Sequence, residues 1–413
     1  METVESIKVD RSRLEQVLNI ISRIGITRSG SERTAYSIKD IRAKEALVQI
    51  MRRVGLSVTV DAVGNIFGRT EQGHEPALMI GSHVDSVPGG GRFDGVAGVA
   101  AAVELTQTIL ENRIPIAHPI EVCGFSAEES SRFGIGTMGS AIMTGELSPA
   151  DIMHLEDRNG IKLEEVLSKL GATKSTISDC RRRPEEVFAY LELHVEQGPV
   201  LEASQKKIGI VTAIAAPTRI KMCFVGRADH SGTTPMNLRK DALAAASEFV
   251  LALEDICRSE VEGVVGTVGT LNVFPDSMNV VPGRVELGVD IRSVSAEAKR
   301  KAKELALHQA REIAETRGLN LETNVIREEN PVALHPEIVS LEEQVCKSGH
   351  IPYSLMISGA GHDAMNMAKI TRAGMIFVPS RMGLSHNPDE WTDLNDIELG
   401  TNCLLHTALG LLT

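Results

Sequence analysis

A chain of 413 residues exceeds what one hydrophobic core ordinarily serves, so two domains are expected. Its 43 basic against 55 acidic side chains leave a formal net charge of −12, which argues against nucleic acid or an anionic membrane as partner and favours a small-molecule substrate. Six scattered cysteines without a CxxC pair signal neither a disulfide framework nor a thiolate zinc site; the charged opening METVESIKVDRSRLEQ and the lack of any apolar run of spanning length point to a cytoplasmic protein.

Apolar residues recur at helical spacing over residues 17–24 and 40–54, the second run stopping at Gly55 as a helix C-cap should. Residues 57–60 and 65–69 alternate as strands. An apolar strand over residues 77–81 (ALMIG) leads into a glycine-rich turn, and Gly95 then opens an Ala/Val-rich helix. Further short apolar runs cover residues 119–125 (PIEVCGF) and 187–193 (VFAYLEL), each ending in polar residues. Strands that finish in polar clusters, with helices between them, predict an α/β domain with a mainly parallel sheet and a site along one edge.

The pattern changes near Ala213. Strand 218–226, helix 240–258, strands 266–274 and 284–292, helix 296–318 and strand 320–327 give the order βαββαβ, a ferredoxin-like unit complete in itself. Helix 335–349, strand 374–379 and helix 393–411 then resume the first pattern. The simplest organisation is one domain of residues 1–212 and 328–413, interrupted by an inserted domain of residues 213–327.

Residues 81–98 (GSHVDSVPGGGRFDGVAG) set a histidine and two carboxylates at the carboxyl end of a strand, where open α/β sheets keep their ligands. His83 and Asp94 suit a borderline metal such as Zn or Mn. Asp85, two residues from His83, is placed to accept that ring's other N–H. Three glycines before a helix also suit a phosphate, but GGGRFDG departs from G-x-G-x-x-G and an acidic residue in the turn would repel pyrophosphate. Candidate ligands recur at equivalent places: the pair Glu128 and Glu129 in FSAEESSRF, His194 in ELHVEQG and His386 in GLSHNP. Adjacent side chains of extended chain point opposite ways, so one glutamate is free to bind metal while the other works on a proton.

These motifs, with ADHSGTTPM, residues 279–292 and SGAGHD, resemble the hydantoinase/carbamoylase branch of the M20 metallopeptidase family over nearly the whole chain. The resemblance implies a two-metal centre bridged by Asp94, with His83 and His194 completing one ion and Glu129 and His386 the other; the ions would be Mn, Zn, Co or Ni. Many M20 peptidases carry a carboxylate in place of His194, so ELHVEQG points to this branch. It implies Glu128 as general base and His230 as the electrophilic partner of the developing oxyanion, reaching the site when the inserted domain closes. Arg292, whose guanidinium forks onto a carboxylate, is assigned to the substrate's carboxylate with Asn279 bonding nearby. Gln197, Gly359 and His362 match further substrate-holding positions, and Asp363 is expected to orient His362. A homodimer through the inserted lid domain is implied by the family.

The expected activity is hydrolysis of N-carbamoyl-L-amino acids to L-amino acid, ammonia and carbon dioxide. Allantoate amidohydrolase is the close alternative, since both substrates are ureido carboxylates. An aminoacylase or dipeptidase of the wider family is disfavoured by His194 and the GHD motif. A metal-bearing binding protein without turnover would not need Glu128.

Overall fold

A computed structural model describes residues 7–413, so part of the charged opening lies outside the described residues. The chain forms two compact units, one running up to Thr212 and again over Leu334–Thr413, the other over Ala213–Ala333. The second unit runs past the expected residue 327 to Ala333, where Val332 and Ala333 pair with Ile214 and Ala213.

The first unit is built on a sheet of strands in the order Ser57–Val60, Ile66–Arg69, Ile120–Phe125, Ala77–His83, Val187–Val195, Arg372–Val378 and Ile208–Ile214, the last also pairing with Tyr353–Ser358. The sheet is mixed, which corrects the expectation of a mainly parallel one. The four strands from Ile120–Phe125 to Arg372–Val378 are mutually parallel, while those flanking them run antiparallel. Connection length decides this, because a parallel neighbour needs a crossover and a hairpin does not. The Asp61 carboxylate accepts from Val63 N (3.0 Å) and Asn65 N (2.8 Å), folding a tight turn that makes Ser57–Val60 and Ile66–Arg69 a hairpin. The helix Val96–Glu111 instead crosses over between Ala77–His83 and Ile120–Phe125.

That helix is mostly apolar and largely buried, packed on the sheet and against the helices Arg11–Ser22 and Leu394–Leu412, with its buried Glu104 met by Arg13 at 2.8 Å. Gly98 permits the contact: a Cβ there would come within 2.2 Å of Leu193 O. Arg11–Ser22 begins earlier than the periodicity suggests because the Asp10 carboxylate caps it, accepting from Arg13 N. Ile38–Val54 starts at the Ser37 cap and ends at Gly55, whose φ of 92 provides the left-handed C-cap.

Two strands run further than expected. Ala77–His83 and Val187–Val195 include His83 and His194, both read from sequence as lying just beyond strand ends. Gly81 does not stop its strand; it marks a close approach, since a Cβ there would lie 1.9 Å from Cys123 O. Both imidazoles are thereby held by ladder pairing, His83 beside Phe125 and His194 beside Phe377.

The second unit is a four-stranded antiparallel sheet in the order Val264–Phe274, Arg284–Ser293, Ala216–Val225 and Asn320–Glu328. Alternation on Arg284–Ser293 sends Val285, Leu287, Val289 and Ile291 into a core with the helices Ala242–Asp255 and Ala296–Arg317. Among the described residues no helix is long and apolar enough to cross a membrane.

Glu342, on the helix Pro336–Ser348, is buried with neither carboxyl oxygen hydrogen-bonded to protein, and burial pushes its carboxyl well above the usual range. The unfolded chain ionises this group near pH 4.3, so the folded state loses stability as pH rises from there toward the raised folded value. Glu342→Met is therefore expected to raise stability at neutral pH by about 1 to 3 kcal/mol. In denaturant titrations the gain should shrink as pH falls toward 4.5; an equal gain at pH 4.5 and 7.5 would contradict the assignment.

Candidate metal centre

Asp94 lies on the turn between the strand Ala77–His83 and the helix Val96–Glu111, nearly buried, with its two oxygens facing different groups. Oδ1 is 3.3 Å from His83 Nε2 and 3.2 Å from His194 Nε2. Oδ2 is 3.3 Å from His386 Nε2, which is itself 3.3 Å from Glu129 Oε1. Two clusters result, His83–Asp94–His194 and Asp94–Glu129–His386, each with its ligand atoms within 4.8 Å of one another.

The tautomers of two histidines follow from their partners. His83 Nδ1 donates to Asp85 O (3.1 Å) and His194 Nδ1 to Val195 O (2.9 Å); a carbonyl only accepts, so Nδ1 carries the proton and Nε2 keeps its lone pair in the neutral ring. His194 Nε2 is buried and, despite its closeness to Asp94, makes no hydrogen bond of acceptable geometry. A lone pair and a carboxylate oxygen aimed at a common point, with no proton between them, suit a bound cation.

Asp85 acts differently from the sequence expectation. Its backbone carbonyl, not its carboxylate, receives the His83 ring; Oδ1 stays 3.8 Å from Nδ1. The strand runs through His83, so the ring meets main chain two residues on. The carboxylate turns to the neighbouring loop and accepts Glu128 N and Glu129 N, each at 3.1 Å. That loop is also fixed from behind, where the amides of Thr137, Met138 and Gly139 donate to the carbonyls of Glu128, Ala127 and Ser126. Ala127, at φ 52, makes the sharp turn that presents both glutamates.

The glutamates part company. Glu129 reaches His386, whereas Glu128 Oε2 lies 3.8 Å from His83 Nε2. Burial pushes the Glu128 carboxyl well above its usual range, although His83 opposes the shift; Glu129, Asp363 and Asp85 add to it. Burial also raises the Asp94 carboxyl, but the close imidazoles of His194, His386 and His83 overcome this and hold it well below. His386, in a turn at φ 53, is pushed up to about 11, chiefly by Asp94 and Glu129. A field that would protonate that imidazole so strongly is one a dication can occupy instead.

Gln197 also meets this cluster. Its Nε2 donates to Asp94 Oδ2 (2.9 Å) and Ser385 Oγ (3.2 Å), while Oε1 is buried without a partner. His362 is buried against His194, ring centroids 4.5 Å apart, and its Nε2 meets Ser358 Oγ at 2.9 Å. Asp363 does not orient it, contrary to expectation: its carboxylate accepts from Ser140 Oγ at the start of the helix Asp363–Met367. Gly359 lies in the exposed turn before His362, where a Cβ would meet open space. Glu192, His194 and His362 form a further cluster, but the Glu192 oxygens are taken by Ser82 Oγ, Tyr190 OH and Ala364 N.

Two contributors carried no signal in the sequence. Arg33 is wholly buried and donates to Val84 O (2.9 Å), Ser22 O and Ile24 O, pinning the His83–Asp85 segment to the end of the first helix. Glu390 accepts from Phe93 N and Asp94 N.

His230, Asn279 and Arg292 belong to the second unit. Asp229–His230 pairs with Val280–Val281, and Ser231 N donates to Asn279 O (3.0 Å), so His230 and Asn279 lie on adjoining segments. His230 is exposed, its Nδ1 accepting from Gly232 N at 3.0 Å. Arg292 forks onto Asp290, which Arg219 also contacts.

Residues 79–410 match the model of peptidase family M20/M25/M40, and the chain belongs to that family. An N-carbamoyl-L-amino acid amidohydrolase of Geobacillus stearothermophilus is 39% identical over 403 residues, covering 97% of this chain and 98% of the relative. A probable allantoate deiminase of Oryza sativa is 35% identical, covering 87% of this chain and 80% of its own length. In structure the chain is similar to a hydantoinase/carbamoylase family amidase from Burkholderia multivorans, with a TM-score of 0.90, 35% identity and 98% coverage of both chains.

Each hydrogen bond to the Asp85 carboxylate is of the charge-assisted kind, worth about 1.5 to 3 kcal/mol. Asp85→Ala is accordingly expected to speed amide hydrogen exchange across residues 126–130 by at least about tenfold. Unchanged protection there would show that the loop is held without Asp85.

Proposed function

We propose that this hydrolase cleaves the ureido bond of N-carbamoyl-L-amino acids, giving L-amino acid, ammonia and carbon dioxide, with two divalent ions at Asp94. The observation that carries the proposal is the division of Asp94, one oxygen toward His83 and His194 and the other toward His386 and Glu129. Mn, Zn, Co and Ni all suit these nitrogen and carboxylate donors. When bound, such a pair supplies Lewis acidity and lowers the pKa of its water toward about 7.

In this reading Glu128 takes the proton of the attacking water. Its raised carboxyl suits it to hold that proton and return it to the leaving nitrogen, so that ammonia departs neutral. The buried, unpartnered Oε1 of Gln197 offers an acceptor for a substrate N–H, and His362 and Gly359 complete the substrate contacts on the first unit. From the second unit, Arg292 would hold the substrate carboxylate with Asn279 beside it, and His230 would donate to the oxyanion. The second unit would then serve as lid and, through a second copy of the chain, as dimer interface. A chemistry of small soluble ureides fits a cytoplasmic enzyme.

Allantoate is the second substrate in view, supported by the identity to the Oryza sativa protein. Its additional ureido group calls for more hydrogen-bond partners, whereas a carbamoyl amino acid calls for room for its side chain. Product release, followed as ammonia from allantoate, N-carbamoyl-L-methionine and N-carbamoyl-β-alanine and as free methionine from N-acetyl-L-methionine, ranks these readings by kcat/KM. The proposal expects N-carbamoyl-L-methionine to lead, and a lead for allantoate or the acetyl compound would overturn it.

Removal of metal by chelator should abolish ammonia release and Mn, Co, Ni or Zn should restore it; activity of the fully stripped protein would end the two-ion proposal. Glu128→Gln should stop turnover with metal content near normal, and a wild-type rate would assign the base elsewhere. Arg292→Ala is expected to cost about 2 to 5 kcal/mol in kcat/KM against carboxylate-bearing substrates, the usual loss on truncating a desolvated charged contact. An unchanged value would remove that assignment.

A further inference from the structure

The Asp94–Glu129–His386 cluster draws on distant parts of the chain, and its histidine is the least constrained of the three. His83 and His194 are fixed through Nδ1 by backbone carbonyls. No hydrogen bond fixes His386 Nδ1 among the described residues, and this side chain is about half exposed. Its place must come from the loop that carries it.

One side chain ties that loop to the turn bearing Asp94. Glu390 is 3% exposed; its Oε1 accepts from Phe93 N at 2.9 Å and Asp94 N at 3.2 Å, and its Oε2 accepts from Ser385 Oγ at 3.2 Å. Ser385 precedes His386, and its Oγ also lies 3.3 Å from Asp94 Oδ2. The fit is close, for a Cβ on Gly91 would come within 2.2 Å of the Glu390 carboxyl. Beside it Trp391 meets Phe93 edge-on, ring centroids 5.4 Å apart, a second bond between the same two segments.

We propose that Glu390 is a positioning residue which, through the Phe93 and Asp94 amides and Ser385, sets His386 against Asp94 and so determines the affinity of the Asp94–Glu129–His386 position for its ion. The inference rests on the two-ion reading above. A buried carboxylate serving only the core would stabilise both ion positions or neither. One that joins these two loops acts chiefly on the His386 position: Asp94 serves both ions, but the other ion keeps two ligands, His83 and His194, that are set by the sheet ladder and by their own carbonyl partners.

The test is stepwise zinc uptake by the full-length protein against a competing chelator, with the visible spectrum of the cobalt-loaded protein as a readout of coordination. Glu390→Ala is expected to weaken the His386 position by about 10- to 100-fold, as loss of a partner behind a ligand does elsewhere, while the other ion changes by less than about threefold. Its cobalt spectrum should shift. Glu390→Gln keeps an acceptor for the two amides and a polar group for Ser385, and should restore affinity to within about threefold. In a His386→Ala background, Glu390→Ala should add less than about threefold. Unchanged affinity and spectrum in Glu390→Ala, or equal weakening of both ions, would overturn the proposal. Should that variant fail to fold, Ser385→Ala decides: a selective loss of about 3- to 10-fold at the His386 position supports it, and none overturns it. A wild-type protein that takes up fewer than two ions would sink the two-ion reading itself, separately from the role of Glu390.

Discussion

The structure depends on the burial of negative charge around Asp94. Asp94, Asp85 and Glu129 are nearly or wholly buried and the Glu128 side chain is only 11% exposed beside them, while the nearest imidazoles turn Nε2 inward. Placing ionised carboxylates out of water costs several kcal/mol each unless a counter-charge meets them. Protonated histidines would supply some of it, and the surrounding carboxylates push both His83 and His194 up; with Nδ1 on a carbonyl, each ring offers Nε2 once its second proton leaves. In the two-ion reading proposed above, a pair of dications would supply the missing counter-charge. The parallel strands make it affordable in conformational terms, since His83 and His194 are carried on backbone already fixed by pairing.

The loops are fixed by a recurring device. Asp85 gathers the amides of Glu128 and Glu129, Glu390 those of Phe93 and Asp94, and Glu196 those of Val200 and Leu201. In each case a carboxylate stiffens a turn by taking two successive donors, which a loop has no ladder partner to satisfy. Arg33 does the converse with its buried guanidinium, gathering three carbonyls. The candidate ligands are thus held by buried polar groups, of which Arg33 alone keeps a nitrogen, Nη2, without a hydrogen bond.

Much of this was legible in the sequence, for identifiable reasons. His83, Glu128, Glu129 and His194 stand at the ends of short apolar runs, with Asp94 and His386 in turns further on, and such runs announce strands whose carboxyl ends meet. Errors arose where local pattern and tertiary pairing disagree. Gly81 reads as a stop but marks close strand contact, so the strand continues through His83 and the Asp85 carboxylate is released for the glutamate loop. The hairpin at Asp61–Asn65 turns one side of the sheet antiparallel, which apolar runs alone do not encode. Asp363 stands beside His362 in sequence yet bonds Ser140, because the helix it opens points it elsewhere. Arg33 sits in a stretch with no periodicity or motif, and Glu390 just past GLSHNP; Val84 and the Phe93 and Asp94 amides that they hold come from remote segments, so nothing in the sequence marks them.

Anomalous diffraction from crystals grown with zinc or manganese tests the central claim most directly. Two peaks about 3.5 to 4 Å apart are expected, with one Asp94 oxygen on each. His83 and His194 should complete one and Glu129 and His386 the other, at bond lengths of about 2.0 to 2.2 Å. A single peak, or two that Asp94 does not touch, would contradict the account.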